Sequence, residues 1–165
     1  MSRLNRSSLL KLGIPTLEDV DLVAANIRES DRHDLEGLHP GKAIREIIMG
    51  DVEYSQLVYG LYSNDRMQCV FGVIPVAPGV GTPWVVGTAE VDEAPLLFAR
   101  SSRRLLDMLQ RNFPVLDTWV CAENSKSVLW HKWCGFEFEQ EKVRLGRDEY
   151  YRALRRADTN MMEVG

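Results

Sequence analysis

Hydrophobic and polar positions in the middle of the chain follow the two-residue period of β-strands. Two β-rich runs at residues 56–62 and 67–76 flank the polar segment 63–66, which has the composition of a hairpin turn. Runs at 84–91 and 115–121 predict two further strands, and the Pro and Gly content of 75–83 predicts a loop before them. The chain therefore carries a sheet built from closely spaced strands.

Helical signals surround these strands. Thr16 is a capping residue before an apolar-periodic segment, and residues 9–14 in front of it predict a short first strand. Residues 42–49 predict a second short helix that ends at Gly50, whereas the polar stretch 28–39 predicts a connection. An acidic cap followed by Pro95 predicts the start of a long helix that reaches about Asn112.

The segment 119–138 has the most specific pattern. An apolar strand is followed by a capping residue, Asn124 or Ser125, and then by a short amphipathic helix that stops at Gly135 before another strand. The pattern of residues 141–156 leaves strand and helix both open.

Composition sets broad limits. A chain of 165 residues that is 45% hydrophobic predicts one domain, with residues 157–165 as a flexible tail. The apolar stretches are too short for a membrane span, and a net charge of -4 argues against nucleic-acid binding. Three cysteines in apolar surroundings predict reduced, buried thiols in a cytoplasmic protein. The spacing of Cys121, His131 and Cys134 does not favour a metal site.

The order of elements, together with the segment 124–136, resembles the GCN5-related N-acetyltransferase (GNAT) fold. The resemblance implies a single α/β (α+β) domain whose mixed, mostly antiparallel central sheet is flanked by helices. It also implies that two strands, ending near Val91 and Cys121, splay apart into a wedge. The short helix after Asn124 would close one side of this wedge, so the resemblance assigns Asn124 and Ser127 to the binding of acetyl-CoA.

A closer resemblance is to small proteins of T7-like short-tailed phages that share this fold and are classed with internal virion assembly. It rests on residues 26–31, on the Trp-Val-Val run at 84–86, on Phe98 in the long basic helix and on Trp119. This resemblance implies a protein partner of phage or host origin, in the host cytoplasm or in the virion.

The coenzyme cradle departs from the family pattern. Active members have a glycine-rich turn at the start of the long helix, where free amides and the helix dipole bind the pyrophosphate. Here Leu97, Arg100 and Ser102 occupy its Arg, Gly and Gly/Ala positions, and no glycine occurs from 88 to 112. Asp92 and Glu93 would repel an anion there. Side-chain contacts could replace the backbone contacts, and the candidate cofactor-binding residues on this helix are Arg100, Ser101, Ser102 and Arg103.

Two residues are candidates for catalysis. His131 occupies the position where many active members of the family have a Tyr that acts as a general acid near the thiolate of coenzyme A. A His can donate a proton near neutral pH. Glu90, placed on the fourth strand, could act as a base through a water. Ordinary surface positions are the alternative for both.

Two hypotheses about function follow. One is a binding or assembly protein that has kept the scaffold and lost the coenzyme site, with Trp130 or Trp133 exposed at an interface. The other is a working N-acetyltransferase with an atypical cradle, acting on a protein amine. The missing glycines favour the first, since they affect cofactor affinity directly.

Overall fold

In the computed structural model, residues 9–158 form one α/β domain around a seven-stranded sheet. The strands are β1 (Lys11–Gly13), β2 (Leu57–Ser63), β3 (Arg66–Ala77), β4 (Val80–Gly87), β5 (Val115–Cys121), β6 (Glu137–Leu145) and β7 (Asp148–Arg156). The helices are α1 (Leu17–Ala25), α2 (Glu29–Leu38), α3 (Ile44–Tyr54), α4 (Pro95–Leu109) and α5 (Ser125–Trp133), with a 3-10 turn at Ala89–Glu93. The spatial order is β1-β2-β3-β4-β5-β7-β6, and only the β4–β5 pair is parallel. The predicted fold class is confirmed.

Two helix predictions are wrong in their extent. The polar stretch predicted as a connection is α2, and α3 continues through Gly50 to Tyr54. A glycine inside a helix costs only about 1 kcal/mol, so it does not end α3. In α2 the buried Asp31 is stabilised by partners outside the helix, a fact that its own sequence does not reveal.

The predicted loop at 75–83 is also wrong. β3 and β4 form a hairpin with a two-residue turn at Pro78 and Gly79, and Gly79 has a φ of +73°. Pro75 is tolerated in β3 because the pairing register shifts beside it. The next strand prediction runs too far, since β4 ends at Gly87 and the 3-10 turn follows.

Several turn and cap predictions are confirmed. Thr16 and Asp19 form a reciprocal capping box at α1. Asn64 and Asp65 have φ angles of 50° and 61°, as a tight hairpin turn requires. The undecided segment 141–156 belongs to a hairpin of two strands.

The long helix and the tail agree with expectation in part. α4 begins at Pro95, but no side chain caps it, because Asp92 and Glu93 belong to the preceding 3-10 turn. It ends at Leu109 rather than near Asn112. At the predicted tail, the Ala157 amide still donates to the Pro114 carbonyl at 2.8 Å, and residues 159–165 lie outside the described residues.

Alternation along β3 places hydrophobic cores on both faces of the sheet. Val70 packs with α1 and α3 on one face, while Phe71 and Val73 pack with α4 on the other. Three leucines on one face of α4 are buried there: Leu105, Leu106 and Leu109.

The parallel contact between β4 and β5 is short. It comprises only Val80 with Val115 and Gly81 with Leu116, and beyond these pairs the two strands are unpaired along their facing edges. We call the resulting opening the wedge. The expected separation of these strands is therefore present, although β4 ends at Gly87 instead of near Val91.

A buried ion pair occupies the open end of the wedge on the β4 side. The Asp31 carboxylate accepts from the Gly87 amide at 2.8 Å and from the Arg28 guanidinium at 2.7 Å, while the Arg28 amide donates to the Gly87 carbonyl. Arg28 also lies 3.5 Å from Asp92 and over the Phe98 ring. These contacts use both backbone groups of Gly87, so β4 cannot extend its pairing with β5 there.

We expect Asp31→Ala to lower the free energy of unfolding by about 3 kcal/mol, because it leaves Arg28 and the Gly87 amide without their main acceptor in a buried place. Urea denaturation monitored by circular dichroism measures the change. Asp21→Ala is the matched control, since the Asp21–Arg45 pair is half exposed and its loss should cost about 0.5 kcal/mol. Equal losses for the two variants would contradict a special role for Asp31.

Candidate functional site: the wedge between β4 and β5

The facing edges of the wedge carry backbone groups that no strand pairs with. The Thr88 amide donates to Gln68 on β3, so alternation directs the backbone groups of Pro83, Val85 and Gly87 away from β3 and towards β5. Pro83 fits this edge because its missing N–H is not needed there. On the other side, the Val115 amide donates to the Gly79 carbonyl on the β4 side. Because backbone groups alternate along β5, those of Asp117 and Trp119 also point towards β4.

A cavity of about 630 Å³ fills the wedge. Its walls come from β4, β5, α2 and α5 and, at Asp51, from α3, and its floor includes Phe71 and Leu106 from the core. Three side chains at its surface are exposed apolar groups: Leu38, Trp119 and Leu129 are exposed by 39%, 42% and 68%. The cavity is therefore apolar at its base and carries hydrophobic residues at its rim.

The N-terminus of α5 forms one wall. The side-chain oxygen of Asn124 accepts from the Ser127 amide at 3.1 Å, which resolves the open choice of cap in favour of Asn124. Its side-chain nitrogen donates to Asp34 on α2 at 3.1 Å. Asn124 and Ser127 both line the cavity, as the resemblance implied, but these hydrogen bonds already use much of the polar capacity of Asn124.

The C-terminus of α5 turns the chain into β6. Gly135 has a φ of +94°, and the amides of Gly135 and Phe136 donate to the carbonyls of Lys132 and His131. This arrangement is a Schellman motif, which glycine favours at that position. The predicted helix end is confirmed.

His131 lines the cavity in a neutral form. Its Nδ1 lies 2.7 Å from the Ser127 carbonyl, which can only accept, so Nδ1 carries the proton and Nε2 has a free lone pair. Burial beside Trp130 and Phe136 lowers the pKa of His131 to about 4. In this neutral form Nε2 is an acceptor near neutral pH, whereas the sequence-based expectation had His131 as a proton donor.

Glu90 lies away from the wedge. It is in the 3-10 turn rather than on a strand, where it pairs with Arg66 and accepts from Gln68 at 3.0 Å. These contacts lower its pKa, the hydrogen bond from Gln68 being the largest cause. The structure thus separates Glu90 from His131 and places it beside a smaller depression of about 300 Å³.

The candidate cofactor residues on α4 do not converge on the cavity. Ser101 and Ser102 are buried, and Ser101 accepts from the Leu10 amide at 2.9 Å. Arg103 lies over the ring of Trp133, and Arg100 is on the exposed side of the helix. None of the four lines the wedge.

The charged residues that do line the cavity are mostly acidic. The cavity is lined by two cations, Arg28 and Lys126, and by four carboxylates, so that with histidines counted as neutral its formal charge is -2; the carboxylates are those of Asp31, Asp34, Asp51 and Asp92. Burial raises the pKa of Asp34 and of Asp51. Sequence reasoning missed Arg28, Asp31 and Asp34, because the polar stretch 28–39 predicts a connection rather than a helix. The spacing of Arg28, Asp31 and Asp34 at three-residue intervals was a usable signal, since it places them on one helical face.

Two buried polar atoms beside the cavity have no partner among the described residues: Asp34 Oδ1 and Trp130 Nε1. Trp130 stacks on Phe98 with ring centroids 5.7 Å apart, whereas Trp133 is 44% exposed. The hypothesis that one tryptophan of α5 reaches the surface therefore applies to Trp133.

The three cysteines are free and buried, as predicted. Among residues 9–158 no group of three or more His, Cys, Asp or Glu side chains could hold a metal ion. No helix in the same range is long and apolar enough to cross a membrane.

Solved structures share this architecture. A ribosomal-protein-alanine N-acetyltransferase from Brucella melitensis is 15% identical, with a TM-score of 0.68 over 89% of this chain and 99% of its own. A spermidine N-acetyltransferase chimera with sequence from Vibrio cholerae is 13% identical, with a TM-score of 0.67 over 90% of this chain and 96% of its own. The PaiA N-acetyltransferase from Thermoplasma acidophilum, solved with coenzyme A, is 13% identical with a TM-score of 0.63, covering 90% and 99% of the two chains.

At these identities the comparisons establish the fold alone, and that fold is GNAT-like. No protein-family model matches the sequence, and no curated protein matches it.

The wedge fits one part of coenzyme A and not another. Its unpaired amides and carbonyls suit the two amide groups of the pantetheine arm. The phosphates lack a cradle, because the turn before α4 presents the carboxylates of Asp92 and Glu93 and no glycine. The residues present therefore do not fit the whole group.

We expect the partly buried His131 to make stability pH-dependent. The unfolded chain binds a proton at this residue below about pH 6.5, while the native state stays neutral to about pH 4. The native state therefore loses stability as the pH falls through this window, by about 2 kcal/mol once partial exposure of the ring is allowed for. Urea unfolding of wild type and His131→Gln at pH 7 and pH 4 measures the difference.

His33→Gln provides the control. His33 is half exposed and lies 3.4 Å from Asp148 on the surface, away from the aromatic residues that surround His131. Its replacement should not remove the loss of stability at low pH. Identical pH slopes for wild type and His131→Gln would contradict the neutral, buried state of His131.

Proposed function

We propose that this chain is a binding protein that keeps the GNAT-like scaffold but has an altered coenzyme site. The observation that carries the proposal is the 3-10 turn at Ala89–Glu93, which presents Asp92 and Glu93 where the fold's cradle binds phosphates. Both side chains are exposed, and a like charge at about 4 Å costs on the order of 1 to 4 kcal/mol, an effect that the Arg28 guanidinium 3.5 Å away reduces for Asp92 but not for Glu93.

The state of α4 supports the same proposal. Side-chain contacts could replace the missing glycines only if Arg100, Ser101, Ser102 and Arg103 faced one ligand. The two serines are instead in the core, and Arg103 is engaged with Trp133. The short motifs that resemble phage assembly proteins support a partner from the phage particle or its host.

A second candidate is an acetyl-CoA-dependent N-acetyltransferase. The separation of β4 from β5, with the cavity between them, favours it. In that case His131 Nε2, which lacks a proton at neutral pH, would accept a proton from an amine rather than donate one.

We expect 1 mM acetyl-CoA to raise the melting temperature by less than about 1 °C. For comparison, a ligand present at 100 times its dissociation constant would raise the free energy of unfolding by about 2.7 kcal/mol, which corresponds to about 8 °C for a chain of this length. Differential scanning calorimetry measures the shift. Pantetheine serves as a parallel ligand that has the amide arm without the phosphates.

The double variant Asp92→Asn/Glu93→Gln tests the reason for weak binding. Removing the two charges should increase the shift produced by acetyl-CoA and leave that of pantetheine unchanged. A shift of several degrees in the wild type, together with thiol release in the presence of a peptide amine, would overturn the proposal in favour of the transferase.

A further inference from the structure

The wedge offers two strand edges to one occupant. Val85 on β4 directs an N–H and a C=O towards the gap, and Asp117 and Trp119 on β5 direct theirs from the opposite side. Unpaired strand edges bind extended peptide backbone, which supplies alternating donors and acceptors at matching intervals.

The charge of the lining residues distinguishes between possible ligands that carry amide groups. The formal charge of -2 on the lining residues disfavours an anion and favours a cation. Asp51 is the most suitable anchor, because it lines the cavity, is partly buried, and its carboxylate accepts no hydrogen bond from the described residues, although it interacts electrostatically with His39 of the same cavity. Asp34 is less suitable, since one carboxylate oxygen accepts from Asn124 and the other is occluded.

The rim supplies contacts for apolar side chains. Leu38, Trp119 and Leu129 surround the opening and are exposed, although each is a large hydrophobic residue. A peptide that alternates apolar and basic residues would therefore find a partner for each kind of side chain.

We propose that the wedge binds an extended basic peptide segment of a partner protein, by backbone pairing with the free strand edges and by a lysine or arginine pairing with Asp51. The inference rests on the proposed function, because peptide and coenzyme would occupy the same space. A polyamine would satisfy the charge but not the backbone groups, and it is therefore not the occupant.

Isothermal titration calorimetry with synthetic peptides tests the inference. The probe is an eight-residue peptide of alternating valine and lysine, acetylated and amidated at its ends. The comparison ligands are the alternating valine–glutamate peptide, the lysine peptide with methylated backbone nitrogens, and spermine. We expect only the first to bind, and we expect Asp51→Asn to weaken it at least tenfold.

Asp21→Asn is the control variant, because Asp21 is an exposed carboxylate on α1 that does not line the cavity. It should leave the affinity within twofold of wild type. Because Asp51 makes no hydrogen bond through its carboxylate, the asparagine variant should fold normally, and circular dichroism checks this.

The outcomes separate the two proposals. Equal binding of the glutamate peptide, the methylated peptide or spermine would overturn the peptide inference. Failure of both the lysine peptide and acetyl-CoA to bind would also overturn it, while leaving the altered coenzyme site in place. Tight binding of acetyl-CoA that displaces the lysine peptide would overturn the proposed function instead.

Discussion

The limited contact between β4 and β5 is the constraint on which the rest of the molecule depends. Two residue pairs join the strands at their start, and the Arg28–Asp31 pair then takes both backbone groups of Gly87. At the closed end, Arg155 donates to the Cys134 carbonyl, Gln110 and Asp107, which ties β7 to the ends of α4 and α5. The gap is thus held open at one end by a buried ion pair and closed at the other by a buried cation with three acceptors. Neither group can be lost without leaving its partners unsatisfied in the interior.

The same geometry explains why the fold alone does not decide the occupant. The pantetheine arm and a peptide both carry amides that can pair with free strand edges, so backbone groups do not distinguish them. The distinction comes from charge: Asp92 and Glu93 precede α4, and Asp51 of α3 also lines the cavity. Asp92 and Glu93 would repel an anionic ligand, and Asp51 would form no ion pair with it. In a partly desolvated cavity these charge–charge energies are larger than the energy differences that arise from small changes in apolar contact area.

Local signals predicted the elements whose cause is local. The Asn64–Asp65 turn, the Asn124 cap, the Gly135 stop and the start of α4 at Pro95 follow from the conformational preferences of those residues. Helix α2 could not be predicted in this way. Its polar sequence is stabilised where Asp31 meets Gly87, a contact 56 residues away along the chain. The cavity lining divides similarly. The position of Asn124 and Ser127 at the start of α5 follows from their capping motif, whereas the neutral state of His131 and the position of Glu90 outside the cavity depend on tertiary packing.

The wall formed by α5 is stabilised differently from the other walls. None of its residues is fully buried, whereas seven residues of α4 are. Its position depends on the Asn124 cap, on the Schellman motif at Gly135, and on two aromatic contacts, Trp130 with Phe98 and Trp133 with Arg103. Elements with few buried apolar contacts open at a lower free energy than the core does. The wedge therefore combines two fixed strand edges with one wall of low local stability. Because α5 carries both His131 and the exposed Leu129, these two side chains lie on the wall of the cavity that has the fewest buried contacts.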